Sequence, residues 1–193
     1  AYKLTKNDGS AIPARIDVGE SFNIKVDGAK VYFYSDNKEV ATVGKKNGLL
    51  TAVGPGSVKI KGVNQSTGKT IATDTIEVCL RATSVTPSES EIYLTDIGST
   101  AEISVVLTPS NSTDIIRYVS DNKDVATVNM KTGVVTAEGE GTATITIYSK
   151  RTAASSADDE GTLTATVRVT VGKFLSSVSA RTDQTIEVKF TQG

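Results

Sequence analysis

Along most of this chain apolar and polar residues alternate with a period of two, which places every second side chain on the same face of a β-strand. Phe22, Ile24 and Val26 alternate with Asn23 and Lys25. Ile103, Val105 and Leu107 alternate with Ser104 and Val106, and Val167, Val169 and Val171 with Arg168 and Thr170. Valine, isoleucine and threonine fill these runs, and turn-forming residues separate them: Asn47-Gly48, Thr132-Gly133, Gly54-Pro55-Gly56 and Gly139-Glu140-Gly141. No stretch sustains a helical period. Short strands with one apolar face each must bury that face on a second sheet, so the pattern predicts an all-β fold of antiparallel strands in two-sheet sandwiches.

The pattern occurs twice. The segment from Ser35, SDNKEVATVGKKNGLLTAVGPGSVKI, matches the segment from Ser120, SDNKDVATVNMKTGVVTAEGEGTATI, without a gap at an offset of 85 residues, and 15 of the 26 positions are identical. Solenoid repeats run to about 20–45 residues, so a period of 85 is that of a small autonomous domain. The expected organisation is one domain over residues 1–81 and a second over 83–172. After Val171 two further alternating runs appear, Val178 with Ala180 and Ile186 with Val188 and Phe190. Two strands rarely stand alone in water, so residues 173–193 are expected to be the truncated start of a third β domain of a longer protein.

Composition narrows the chemistry. There are 21 lysines and arginines against 22 aspartates and glutamates in 193 residues. The summed field is therefore weak, and neither nucleic acid nor anionic lipid is an expected partner. No apolar run approaches the ~20 residues of a membrane-spanning helix, so no membrane insertion is expected. With no histidine, the commonest general base near neutral pH and the commonest metal ligand are missing. The single cysteine, Cys79, rules out an intrachain disulfide and Cys-x-x-Cys chemistry.

The recurring motif D-N-K-[DE]-V-A-T-V, a Gly-containing turn, then T-A-x-G-x-G-[ST]-x-x-I resembles the group 2 bacterial Ig-like family. The first copy carries it in Val40, Ala41, Thr42, Val43, Gly48, Thr51, Ala52, Gly54, Gly56 and Ile60, the second in Val125, Ala126, Thr127, Val128, Gly133, Thr136, Ala137, Gly139, Gly141 and Ile145. The second copy adds a family-like opening, Val85-Thr86-Pro87 and Leu107-Thr108-Pro109-Ser110-Asn111. The first lacks that stretch and passes from Val26 to Val31 through Asp27-Gly28-Ala29-Lys30. The resemblance implies tandem Ig-like sandwiches in an extracellular protein of the bacterial surface or cell wall, with no shared catalytic residues and no cofactor. The tail is similar to domain openings in surface-layer proteins.

Several residues invite a functional reading, each with a plainer one beside it. Asp36-Asn37 and Asp121-Asn122 recur at one place, where short Asx side chains commonly tie down turns. Gly54-x-Gly56 and Gly139-x-Gly141 look like phosphate loops, but strands follow them where a phosphate cradle needs a helix. Asp158, Asp159 and Glu160 are the candidate calcium ligands. Their loop lacks the D-x-[DN]-x-[DN]-G spacing, so a solvated loop is the stronger reading and no metal is expected. Tyr32 and Tyr34 flank Phe33. Because Phe33 aligns with Tyr118, Phe33 should point inward and both tyrosines outward, as a candidate partner-binding pair. Cys79 aligns with Thr170 on the polar side of its strand, which predicts a partly exposed thiol.

These readings point to a non-catalytic structural or spacer module whose partners are the neighbouring domains of its parent, with lattice subunits, a cell-wall polymer or a host ligand as further candidates. An adhesin fragment recognising a host protein or glycan is the alternative, and ancillary domains of a cell-wall hydrolase a second one. The link from Arg81 to Thr83 is too short for free reorientation of the domains.

Overall fold

A computed structural model of the chain describes residues 2–150, 163–172, 175–180 and 186–190. It divides into two compact units, Ala1–Arg81 with Asn111–Asp114, and Ala82–Ser110 with Ile115–Gly193. The described residues are all strand, turn and loop.

The first unit contains β1 (Leu4–Lys6), β2 (Arg15–Asp17), β3 (Ser21–Val26), β4 (Val31–Ser35), β5 (Ala41–Val43), β6 (Leu49–Ala52), β7 (Gly56–Asn64) and β8 (Thr70–Cys79). They form two four-stranded sheets, ordered β1-β3-β6-β5 and β2-β8-β7-β4. The alternation places the inner side chains between them: Ile24 and Val26, Phe33, Leu50 and Ala52, Val58 and Ile60, Ile76 and Val78 make one core. Leu50, Ile60, Ile76 and Val78 are fully buried, as period-two residues of facing sheets must be.

The second unit contains β9 (Ser84–Pro87), β10 (Glu91–Leu94), β11 (Thr100–Glu102), β12 (Val105–Thr108), β13 (Ile115–Ser120), β14 (Ala126–Val128), β15 (Val134–Ala137), β16 (Gly141–Lys150) and β17 (Leu163–Val171). One sheet runs β10-β17-β16-β13, and facing it are β11-β15-β14 and the pair β12-β9. The core repeats the first unit's, with Ile103, Tyr118, Val135, Ala137, Ile145, Ile147, Val167 and Val169 buried together.

The offset of 85 holds in the hydrogen-bonding register. Phe33 faces Gly62 and Ser35 faces Ile60 across β4 and β7; Tyr118 faces Ile147 and Ser120 faces Ile145 across β13 and β16. Phe33, Tyr118, Ile60 and Ile145 are all buried, as the gapless alignment requires.

Two expectations fail. First, the strands are not all antiparallel: β2 runs parallel to β8 and β10 parallel to β17. A parallel pair needs a crossover connection, which alternation within a strand cannot reveal; here the rest of the domain provides it. Second, Cys79 is buried, 3 % exposed. Gly56 faces Val78 and Gly141 faces Val171, so the last strands correspond at an offset of 93 and Cys79 matches Gly172, not Thr170. The connection before β17 is longer in the second copy, and an alignment through it slips by two residues. Cys79 therefore closes its strand directly after the buried Val78, and its carbonyl accepts the Val18 amide at 2.9 Å.

Strand β18 (Leu175–Ala180) pairs antiparallel with β19 (Ile186–Phe190), with Val178 opposite Val188.

Candidate functional site

Within each sandwich one edge strand of one sheet lies beside an edge strand of the other, β4 with β5 in the first unit and β13 with β14 in the second. Between these edges lies a cleft of about 290 Å³ in each unit. The first is lined by Phe33, Tyr34, Ser35, Lys38, Thr42, Val43 and Lys45, the second by Tyr118, Val119, Ser120, Lys123, Thr127, Val128 and Met130. Every residue of one list stands 85 positions from its counterpart, so the cleft is a property of the repeat.

The repeated polar motif runs beside the cleft, which Ser35 and Lys38 line in the first unit and Ser120 and Lys123 in the second. Asp36 accepts a hydrogen bond from the Lys59 amide at 2.8 Å, and Asp121 one from the Thr144 amide at 2.7 Å. The Asn37 side-chain carbonyl accepts the Glu39 amide at 3.0 Å, and that of Asn122 the Asp124 amide at 3.2 Å. Ser35 and Ser120 accept the amides of Asn37 and Asn122. These Asx and Ser side chains therefore satisfy backbone donors where the chain crosses from one sheet to the other. One oxygen of each carboxylate and the amide oxygen of each asparagine are committed to the fold.

The glycines are equally structural. Gly48 and Gly133 have positive φ, +67° and +76°, and a Cβ on either would run into a backbone carbonyl, of Ile24 or Ile103, and into the Phe33 or Tyr118 ring. At Gly54 and Gly139 a Cβ would lie 2.7 Å from the carbonyl oxygens of Glu39 and Asp124. Strands β7 and β16 follow directly, so no helix N-terminus is present to hold a phosphate.

The edge strand is capped as well as flanked. The Phe33 amide donates to the Lys45 carbonyl at 2.9 Å and the Tyr118 amide to the Met130 carbonyl at 3.2 Å, which occupies an edge donor that would otherwise invite another strand. This puts the side chain at position 45 over the outer face of β4. The Lys45 ammonium sits 4.7 Å from the Tyr32 ring centroid and 5.6 Å from that of Tyr34. Both tyrosines are on the outer face, with Tyr34 40 % exposed and lining the cleft and Tyr32 half-buried beneath Lys45. The second unit has Arg117, Val119 and Met130 in these places.

Tyr118 differs from Phe33 only by its hydroxyl, which donates to the Ile103 carbonyl at 3.1 Å in a buried position. Burial, with a smaller contribution from the Glu102 carboxylate, raises its pKa above the ordinary tyrosine value.

Asp158, Asp159 and Glu160 lie outside the described residues. Among the described residues no three His, Cys, Asp or Glu side chains are grouped to hold a metal ion, and no helix is long and apolar enough to cross a membrane. The sequence reading missed Lys45 as the companion of the tyrosines. The signal was available, because Lys45 and Met130 are a mismatch within an otherwise well-matched repeat.

The sequence model of the "Bacterial Ig-like domain (group 2)" family matches residues 16–74 and again 82–159. No curated protein matches the chain. Among solved structures, a long segment of the surface-layer protein SbsC aligns with 97 % of this chain at 20 % identity and a TM-score of 0.38. This chain covers 30 % of that segment. Domains 4 and 5 of SbsC align over 89 % of this chain and 98 % of their own length at 20 % identity, with a TM-score of 0.37. A C-terminal fragment of intimin, solved with the intimin-binding domain of its translocated receptor, aligns over 79 % of this chain and 58 % of its own at 18 % identity, with a TM-score of 0.42.

Proposed function

Since the chain belongs to the group 2 bacterial Ig-like domain family, we propose that it is a non-catalytic structural module of a bacterial cell-surface protein, built as a tandem pair of sandwiches. The observation that carries this reading is the use made of the repeated polar residues. Asp36, Asn37 and Ser35, like Asp121, Asn122 and Ser120, serve backbone amides of their own domain. The residues that recur are those the fold requires, as expected where the sandwich itself is the product.

The test is surface labelling. Antibodies raised against this chain should stain intact cells of the source bacterium and lose their target when those cells are treated with an external protease. Staining only after lysis would overturn the surface assignment.

An adhesive role is the second reading, favoured by one observation: Tyr32, Tyr34 and Lys45 form an outward aromatic–cationic group that the second unit does without.

A further inference from the structure

The repeat serves as an internal control on what the fold needs. At the five outer positions that β4, β7 and the β5–β6 turn contribute, the first unit has Tyr32, Tyr34, Lys45, Lys59 and Lys61. The second unit builds the same strands, register and cleft with Arg117, Val119, Met130, Thr144 and Thr146. Neither the sandwich nor the cleft therefore requires the lysines or the tyrosines of the first unit.

Their placement makes one surface. Lys59 and Lys61 alternate with the buried Val58 and Ile60, so both point to the outer face of the sheet. Along a strand they stand about 6.6 Å apart. Tyr34 lies directly across from Lys61 in the neighbouring strand, and Lys45 sits over both tyrosines. Lys38 extends the surface at the mouth of the cleft. Among the described residues none of these four ammonium groups forms an ion pair. Two acids border this face and the four lysines outnumber them: Asp36 turns one carboxylate oxygen to the Lys59 amide, and Glu77, opposite Ser57 and diagonal to Lys59, stands beside Arg15.

Charge is also unevenly divided between the two parts of the chain. Of the 21 lysines and arginines, twelve fall in residues 1–81 against eight acids; the remaining residues carry nine against fourteen. The near-zero total hides a cationic first unit.

We propose that the outer face of β4 and β7, with Lys45, is a binding surface for a linear anionic polysaccharide. An extended polymer suits it better than a protein does. The face is open and hydrophilic, with Ser57, Thr73 and Thr75 continuing it, whereas protein interfaces have apolar cores from which lysine is depleted. Lysines are point charges on flexible stems without the forked geometry that selects one phosphate or carboxylate, which suits a repeating charge over a discrete ligand. The tyrosines add hydroxyl donors and ring edges for sugar hydroxyls and C–H groups. This deepens the surface reading, since glycans are what a chain displayed outside a cell encounters.

The experiment titrates the whole chain with polygalacturonate, a linear polymer of sugar carboxylates, with neutral dextran and poly-L-glutamate in parallel, by calorimetry at low and at physiological salt. Polygalacturonate should bind, more weakly as salt screens the charges, and dextran should not. The variant Lys45→Met/Lys59→Thr/Lys61→Thr, which installs the second unit's own residues, should bind at least about tenfold more weakly, a change of ~1.4 kcal/mol, with an unchanged unfolding midpoint. Should that variant unfold, Lys59→Gln/Lys61→Gln on the outer face should give a smaller loss in the same direction. Undiminished binding by a folded variant, no binding by the parent chain, or tighter binding of poly-L-glutamate would each overturn the proposal. None of these results bears on surface labelling, so the two readings fail separately.

Discussion

Gly48 and Gly68 offer a controlled test of what fixes the sandwich. Their backbones are nearly the same, φ +67° and +65°, but their surroundings differ. A Cβ at Gly68 meets nothing within 4 Å, whereas one at Gly48 would overlap the Ile24 carbonyl and come within 3.0 Å of Phe33 Cε2. Replacing Gly68 by alanine thus adds only the left-handed strain of an L-residue, about 1–2 kcal/mol. Replacing Gly48 adds the same strain plus the displacement of a strand carbonyl and a core ring, a further ~1–3 kcal/mol typical of overpacking. The neighbouring hydrogen bond from the Ile24 amide to the Gly48 carbonyl, 2.9 Å, ties the turn to β3 and limits how far it can yield. Both sites lie in the first unit and report on the same unfolding transition. For a domain of this size, with a total stability of order 5–10 kcal/mol, urea denaturation followed by far-UV circular dichroism should show Gly48→Ala lowering the midpoint about twice as far as Gly68→Ala or more, with the slope unchanged. Equal shifts, or a larger one for Gly68→Ala, would show that the close approach at the turn does not constrain the fold and would refute the argument.

Other outcomes follow from individual contacts. Tyr118→Phe removes a buried hydrogen bond to the Ile103 carbonyl but installs the ring the first unit already uses; thermal unfolding should show a loss of about 0.5–1.5 kcal/mol. The Tyr118 pKa is raised in the folded state, so its protonated form is favoured there. Its contribution is complete below the unfolded value near 10 and is lost as pH rises from there through the folded value, a decline the Phe variant should lack. Ile60→Ala and Ile145→Ala, both at 0 % exposure, should each destabilise their own unit by about 2–5 kcal/mol in urea titrations. Cys79, 3 % exposed, should resist Ellman's reagent in the native protein and react at once in denaturant, whereas prompt native labelling would contradict its burial.

Much of this protein is local enough to be written in its sequence. The period of two decides which side chains face inward, because burial of one strand face is the main favourable term available to a small all-β domain. Ile24, Val26, Ile60, Val167 and Val169 are accordingly buried where alternation places them. The gapless repeat likewise fixes the pairing of Phe33 with Tyr118 and of Ile60 with Ile145, since a slip of one residue would turn each strand inside out.

What depends on the third dimension is different in kind. The parallel pairing of β2 with β8 joins residues about sixty positions apart and leaves no trace in the alternation. The burial of Cys79 follows from a strand register set across a connection of unequal length, where local alignment has no purchase. Asp36 and Asp121 can be read from sequence as turn formers, but only the fold shows the strand amides they hold, 23 residues further along the chain. Lys45 comes over Tyr32 and Tyr34 because the edges of two sheets meet beside them, and Lys59 and Lys61 join that surface because β7 lies next to β4. The sequence names every one of these residues, but which of them stand together is decided by sheet order, a non-local consequence of burying two apolar faces against each other.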